Sequence, residues 1–247
     1  IISLVDHHRS NADIISFSNN EFYEQRLRVA TKYDTLRSPN RSEPGIRWID
    51  VKGHVSRPGS GGAVNSIEAK AVVDAIYDMV IKNGYRGSVG AVTPFRAQAN
   101  LITDLANQRP GLNELLIQCG FLADVVHKFQ GDERDVIFFS IGYAPDASGK
   151  FYMNFGPLNI DKGERRLNVA ITRAKEEIVV FSSIHADDID LSKTAKAGPR
   201  DLKEFLAFAE TGVLSRVVSV NEQGVYGGLE SEVAKFLRAQ GYDVTEK

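Results

Sequence analysis

Cysteine is all but absent from this chain of 247 residues: Cys119 stands alone. That excludes an intrachain disulfide and any metal site built from several thiolates, and it points to a reducing compartment. Net charge is nearly absent too, with 30 Lys and Arg against 32 Asp and Glu. No global field therefore draws a polyanion towards the surface, and basic groups with that task must be confined to one face. No apolar run approaches the ~18 residues of a membrane span, and residues 1–15 lack the basic-then-apolar order of a signal peptide. The cytoplasm is the expected compartment, with no membrane partner. An initiator methionine is missing, and Ile1-Ile2-Ser3-Leu4-Val5 reads like a strand entered partway, so the chain is expected to be a fragment. Also missing is the phosphate-cradling loop Gly-x-x-x-x-Gly-Lys-Ser/Thr. Gly149-Lys150 comes nearest, but it lacks the first glycine and the hydroxyl and reads as an ordinary loop. No resident metal is expected either: Asp187-Asp188-Ile189-Asp190 lacks calcium-loop spacing and reads as a capping turn.

What is present is an ordinary globular composition, 43% hydrophobic and 25% charged, in which strand-like runs alternate with helix-like runs. That alternation predicts an α/β fold of three layers, a mostly parallel sheet covered by helices. An amphipathic helix is predicted from Asp13 to Tyr23, a strand at Ile46–Val51, and a helix capped by Asn65 and ended by Gly84. Strands follow at Val89–Thr93, Leu115–Ile117 and Arg134–Ile141, the last long enough to be buried on both faces. A helix is predicted over residues 163–175, then a strand at Ile178–Phe181 and a final helix from Asp201 to Thr211. Residues 212–228 read as a linker, and Leu229–Ala239 starts a new amphipathic helix.

Two blocks carry the chemistry. In Phe129-Gln130-Gly131-Asp132-Glu133-Arg134-Asp135, a polar turn with glycine directly precedes a buried strand, a position from which polar groups meet ligands at a sheet edge. In Glu164-Arg165-Arg166-Leu167-Asn168-Val169-Ala170-Ile171-Thr172-Arg173-Ala174-Lys175, the stripe Leu167, Ala170, Ile171 and Ala174 puts Arg166 and Arg173 near a common second face of the predicted helix. A guanidinium there suits an oxyanion, because its planar fork stays charged and binds in a bidentate manner.

Together and in this order the blocks resemble motifs V and VI of superfamily 1 helicases, most closely the superfamily 1B type. Ala91-Val92-Thr93-Pro94-Phe95-Arg96-Ala97-Gln98 resembles that family's motif IV region, and His8-Arg9-Ser10 with Phe22-Tyr23 resembles its Tyr-Arg-Met-His-Pro segment and the downstream Phe-Tyr. The resemblance covers residues 1–211 and implies a RecA-like second motor domain. It implies that Arg173 and Arg9 are catalytic, Arg173 contacting the γ-phosphate of ATP and Arg9 being a second phosphate-contacting arginine. Glu133 is implied on the ribose, with Gln130 and Gly131 beside it and His8 in the place of an adenine-stacking tyrosine. Thr93, Arg96 and Lys128 are implied near the backbone of single-stranded DNA or RNA. Val125, His127 and Lys128 replace the family's small polar residues, and Asn11-Ala12 its His-Pro.

The same resemblance implies ATP and Mg2+ as cofactors, held mainly by an upstream RecA-like domain that would carry the missing phosphate loop. Phe155-Gly156-Pro157-Leu158-Asn159 is similar to a bacterial subgroup that often ends in a restriction-endonuclease-like domain. Residues 229–247 resemble the start of such a domain, in which Glu230 would belong to a nuclease site. The implied function is an ATP-dependent helicase or translocase. Two alternatives stand beside it: a non-catalytic nucleic-acid-binding module, and an ATPase switch that remodels protein partners.

Overall fold

The structure, a computed structural model, describes residues 6–31, 45–57, 62–129 and 132–214. The expected opening strand, residues 215–228 of the linker, the nuclease-like tail with Glu230, and the site residues Gln130 and Gly131 lie outside the described residues.

A five-stranded parallel sheet forms the middle layer, in the order β3 (Gly45–Asp50), β7 (Ala174–Ser182), β6 (Arg134–Ser140), β4 (Val89–Thr93), β5 (Leu122–Val125). β6 and β7 are apolar almost throughout because both their faces are covered. On one face lie α1 (Ala12–Phe22), α5 (Glu164–Ile171) and α6 (Ala197–Thr211), around Phe17, Phe139, Phe155 and Phe205. On the other lie α2 (Ser66–Tyr77), α3 (Arg96–Asn107) and α4 (Leu112–Gln118), around Ile76, Ile102, Phe138 and Phe181. Two short parallel strands, β1 (Asp6–His7) and β2 (Arg28–Val29), form a separate ribbon. The three-layer α/β fold is as expected.

Two elements differ from the sequence-based expectation. Leu115–Ile117 is helical, part of α4. Leu112 and Leu116, four residues apart, are buried while Ile117 is 74% exposed, which is a helical period. The strand that fills this place in the chain is β5, an edge strand weakened as a signal by Asp124. The helix of residues 163–175 stops at Ile171, where the Thr172 hydroxyl donates back to the Asn168 carbonyl at 2.8 Å. Ala174 and Lys175 already belong to β7, so Arg173 sits in the turn between helix and strand and shares no helix face with Arg166.

Asn65 caps α2 as expected, its side chain accepting from the Glu68 N–H. It also enters a buried polar network. Glu68 is fully buried, and its carboxyl accepts from the Ser140 hydroxyl (2.6 Å), the Gly142 N–H (2.7 Å), the Ser183 hydroxyl (3.1 Å) and the Asn65 amide (3.2 Å). Gln98, at the start of α3, bonds both the Asn65 backbone and Ser140. The network thus ties the carboxyl ends of β6 and β7 to the first turns of α2 and α3. Burial pushes Glu68 up to about 7, against the downward pull of these hydrogen bonds. The folded value lies above the ordinary 4.5. The folded chain therefore keeps this proton longer than the unfolded chain, and the associated stability, complete below about pH 4.5, is lost as pH rises towards 7. Between about pH 5 and about pH 8, urea unfolding is expected to lose up to about 3 kcal/mol more in the wild type than in Glu68→Gln, which cannot ionise. Equal pH slopes in the two proteins would show that Glu68 does not carry this linkage.

Candidate functional site

Parallel pairing sets the site. β6 and β7 come into register at Arg134 and Ala174, and the Arg134 N–H donates to the Arg173 carbonyl at 3.0 Å. The residues just before both strands, Glu133 and Arg173, must then emerge at the same edge of the sheet. A second backbone bond, from the Asn11 N–H to the Lys175 carbonyl at 2.7 Å, brings the segment His7–Ser10 to that edge. His7 Nε2 accepts from the Ser10 N–H at 2.9 Å and rounds off the turn that carries His8 and Arg9.

The result is an open cleft of about 740 Å³ lined by His7, His8, Arg9, Glu133, Arg173 and Lys175, with Tyr23 and Ile15 on its wall. Arg9 Nε lies 2.7 Å from one Glu133 carboxylate oxygen, and Lys175 Nζ lies 2.9 Å from the other. Lys175 does most to hold Glu133 below the usual carboxylate range, with Arg9 and Arg173 adding to the effect. Arg173 donates to the carbonyls of Val169 (3.2 Å) and Asp132 (3.4 Å) and to the Thr172 hydroxyl (3.4 Å). Burial, then the neighbouring charge of Arg9, lowers the Arg173 pKa from its ordinary value. Burial and the same Arg9 charge also lower His7. Three cations thus converge on one carboxylate, and like-charge crowding leaves the cleft receptive to an anion. Guanidinium forks are the groups suited to phosphate. No cluster of His, Cys, Asp or Glu fit to hold a metal occurs among the described residues, and Glu133 is already taken up by two cations.

Of the residues singled out from sequence, the structure brings His8, Arg9, Glu133 and Arg173 together. Thr93 and Arg96 lie at the opposite, carboxyl edge of the sheet, roughly 20 Å away along β6 at about 3.3 Å per residue, whereas Lys128 sits in the turn Val126–Phe129 that follows β5, nearer in the chain to Glu133. Thr93 is fully buried; Arg96 is ion-paired with Asp124; Lys128 is exposed. The turn Val126–Phe129, which contains Lys128, packs against α5 with Val126 and Phe129 buried. Lys175 was not legible as a site residue, because the helical stripe that ends at Ala174 hides the start of the strand. Tyr23, whose hydroxyl accepts from the Asn168 amide at 3.3 Å, was noted only as part of a motif.

With this fold and cleft in place, comparison gives the class. Residues 1–185 match the AAA_12 family, an AAA domain, and the chain belongs to that family. It is a RecA-like domain of the superfamily 1 helicase type. Among its relatives, the "Uncharacterized ATP-dependent helicase MG140" of Mycoplasma genitalium is 30% identical over 89% of this chain and 19% of that protein. "Helicase sen1" of Schizosaccharomyces pombe is 26% identical over 87% of this chain and 13% of its own length. The "DNA replication ATP-dependent helicase/nuclease DNA2" of Xenopus tropicalis is 27% identical over 74% of this chain and 19% of its own. The chain thus spans less than a fifth of the length of these relatives.

The three long hydrogen bonds of the Arg173 side chain are all to its own turn or to one main-chain oxygen, so the fold draws little from them. Arg173→Ala is expected to cost less than about 1 kcal/mol of folding stability, read by thermal or denaturant unfolding. A loss of several kcal/mol would mark the guanidinium as a structural strut.

Proposed function

We propose that this chain is the second motor domain of an ATP-dependent helicase or translocase of the 1B type. It would supply an arginine finger and one wall of the nucleotide site, while an upstream RecA-like domain holds the phosphates and Mg2+. The observation that carries this is the convergence of Arg9, Glu133 and Arg173 on one cleft at the amino edge of the sheet. Arg173 lies against the γ-phosphate of ATP, and Arg9 leaves Glu133 to join it there. Lys175 stays on Glu133, keeping that carboxylate ionised and placed to accept from the ribose hydroxyls, with Gln130 and Gly131 beside it. His8, exposed at the cleft mouth, stacks on the adenine. ATP with Mg2+ supplies the phosphoryl-transfer chemistry, and the work of this chain is charge stabilisation and positioning. Support for ATP-dependent helicase activity also comes from its relatives, which are helicases by name.

Single-stranded DNA or RNA is the partner, met near Thr93 and Arg96 on the carboxyl edge and near Lys128 in the turn after β5. In this assignment residues 1–211 are the motor domain and 212–228 a linker. Residues 229–247 begin an endonuclease-like domain, as in a bacterial subgroup of these helicases.

The isolated chain is expected to show no appreciable Mg2+-dependent ATP hydrolysis, since its sequence lacks the phosphate-cradling Gly-x-x-x-x-Gly-Lys-Ser/Thr loop. In the longer protein, Arg173→Ala is expected to lower strand-stimulated turnover by on the order of 10³–10⁵, and Arg173→Lys to restore little of it. Arg165→Ala is expected to be mild. Near-normal turnover in Arg173→Ala would remove the finger assignment, and robust turnover by the isolated chain would remove the shared site.

A further inference from the structure

The connections leaving β4 and β6 run in opposite directions. β4 leads through α3 and α4 to β5 on one side, and β6 leads through α5 to β7 on the other, with the helices on opposite faces. Neighbouring strands whose connections diverge leave a crevice outside their carboxyl ends, the place where open α/β sheets bind ligands. A second cavity of about 740 Å³ occupies it, lined by Phe95 after β4, by Gly142 and Tyr143 after β6, and by Arg57, Phe151 and Tyr152. None of these six was given a site role from sequence.

The cavity is built, not incidental. Its floor is held by the Glu68 network through the Gly142 N–H. Gly142 itself has φ +73°, and a Cβ there would lie 2.9 Å from the Phe95 ring, so glycine is required for both backbone and space. Tyr143 packs edge-on against Phe95 and Phe155, each at 4.9 Å between ring centroids, and its hydroxyl donates to the Phe155 carbonyl at 2.5 Å. The two walls are joined at the rim, where the Val55 N–H donates to the Pro145 carbonyl at 2.9 Å. Over this aromatic floor Tyr152 stands 55% exposed, with the Lys150 ammonium 4.8 Å from its ring centroid. Arg57 is exposed and has no partner among the described residues. The one acid at the rim, Asp146, is engaged by Ser148 and the Lys150 N–H.

We propose that this crevice is a base-binding pocket: an unstacked base of a single nucleic-acid strand stacks on Tyr152, and Arg57 and Lys150 neutralise the flanking phosphates. The proposal deepens the helicase function above and rests on it, but uses residues other than Thr93, Arg96 and Lys128. An exposed tyrosine ring with a cation on one face and a second cation at the same crevice fits a polyanion of aromatic bases better than an apolar peptide, and the ring's other face can stack any base because every base has a π-face. It would give the strand a foothold independent of backbone charge.

Fluorescence anisotropy with a labelled dT12 strand and an abasic strand of equal length separates these effects. Wild type is expected to bind dT12 more tightly than the abasic strand. Tyr152→Ala is expected to weaken dT12 binding about 5- to 100-fold and to erase that difference, while Tyr152→Phe keeps it. Arg57→Ala is expected to weaken both strands alike and to flatten the log–log salt dependence by about one. Equal binding of the two strands by wild type, or equal loss in the Phe and Ala variants, would overturn the pocket and leave the helicase function standing. Binding of neither strand at low salt would overturn both.

Discussion

One backbone contact organises the amino edge of the domain: the hydrogen bond from the Arg134 N–H to the Arg173 carbonyl, where β6 and β7 enter register. It joins residues that are far apart in sequence and forces Glu133 and Arg173 to be neighbours. The Asn11–Lys175 bond then adds Arg9 to the pair. Each such bond is worth only about 1 kcal/mol net, so they act by fixing geometry. The free energy that holds the strands in place comes from the apolar residues behind them, Val136, Ile137, Phe138, Ile178, Val179 and Val180, all essentially without solvent contact.

Charge then does what the backbone cannot. Three cations in one cleft repel each other, and Glu133 keeps the arrangement stable by giving one oxygen to Arg9 and the other to Lys175. The pairs are partly exposed, so their worth as stabilisation is small. Their consequence is positional: the carboxylate is held ionised between two donors, and among the described residues Arg173 bonds only main-chain oxygens and one hydroxyl, at 3.2–3.4 Å. At the other edge the logic is reversed. There a carboxyl group, Glu68, is fully buried and held by neutral donors alone, which stiffen the ends of β6 and β7 beneath the aromatic crevice. After β5 the turn Val126–Phe129 packs against α5 through Val126 and Phe129.

Much of this was legible in the sequence. The unbroken Val-Ile-Phe run of β6 has only one comfortable home, a central parallel strand, and Asn65 three residues before Glu68 announces a helix start. His8, Arg9, Glu133 and Arg173 were legible by resemblance, and they do line one cleft. What failed did so for physical reasons. Ala174 falls on the helical stripe of Leu167, Ala170 and Ile171, yet it is buried as the first residue of a strand. A small apolar residue fits either environment, so periodicity extended the helix too far and hid Lys175. Leu115–Ile117 looked like a strand because three apolar residues in a row carry no period. The crevice was invisible because Phe95, Tyr143 and Tyr152 come from different connections, and only the divergence of those connections brings them together.

In the proposed function Arg9 and Arg173 act as one unit on one phosphate. A double-mutant cycle in the longer protein, reading strand-stimulated ATP turnover for Arg9→Ala, Arg173→Ala and both together, separates this from two independent roles. Residues that act as a unit are strongly non-additive. The expected result is that the double variant loses little more than the worse single variant. Losses that multiply, or a single variant that keeps near-normal turnover, would contradict a shared site.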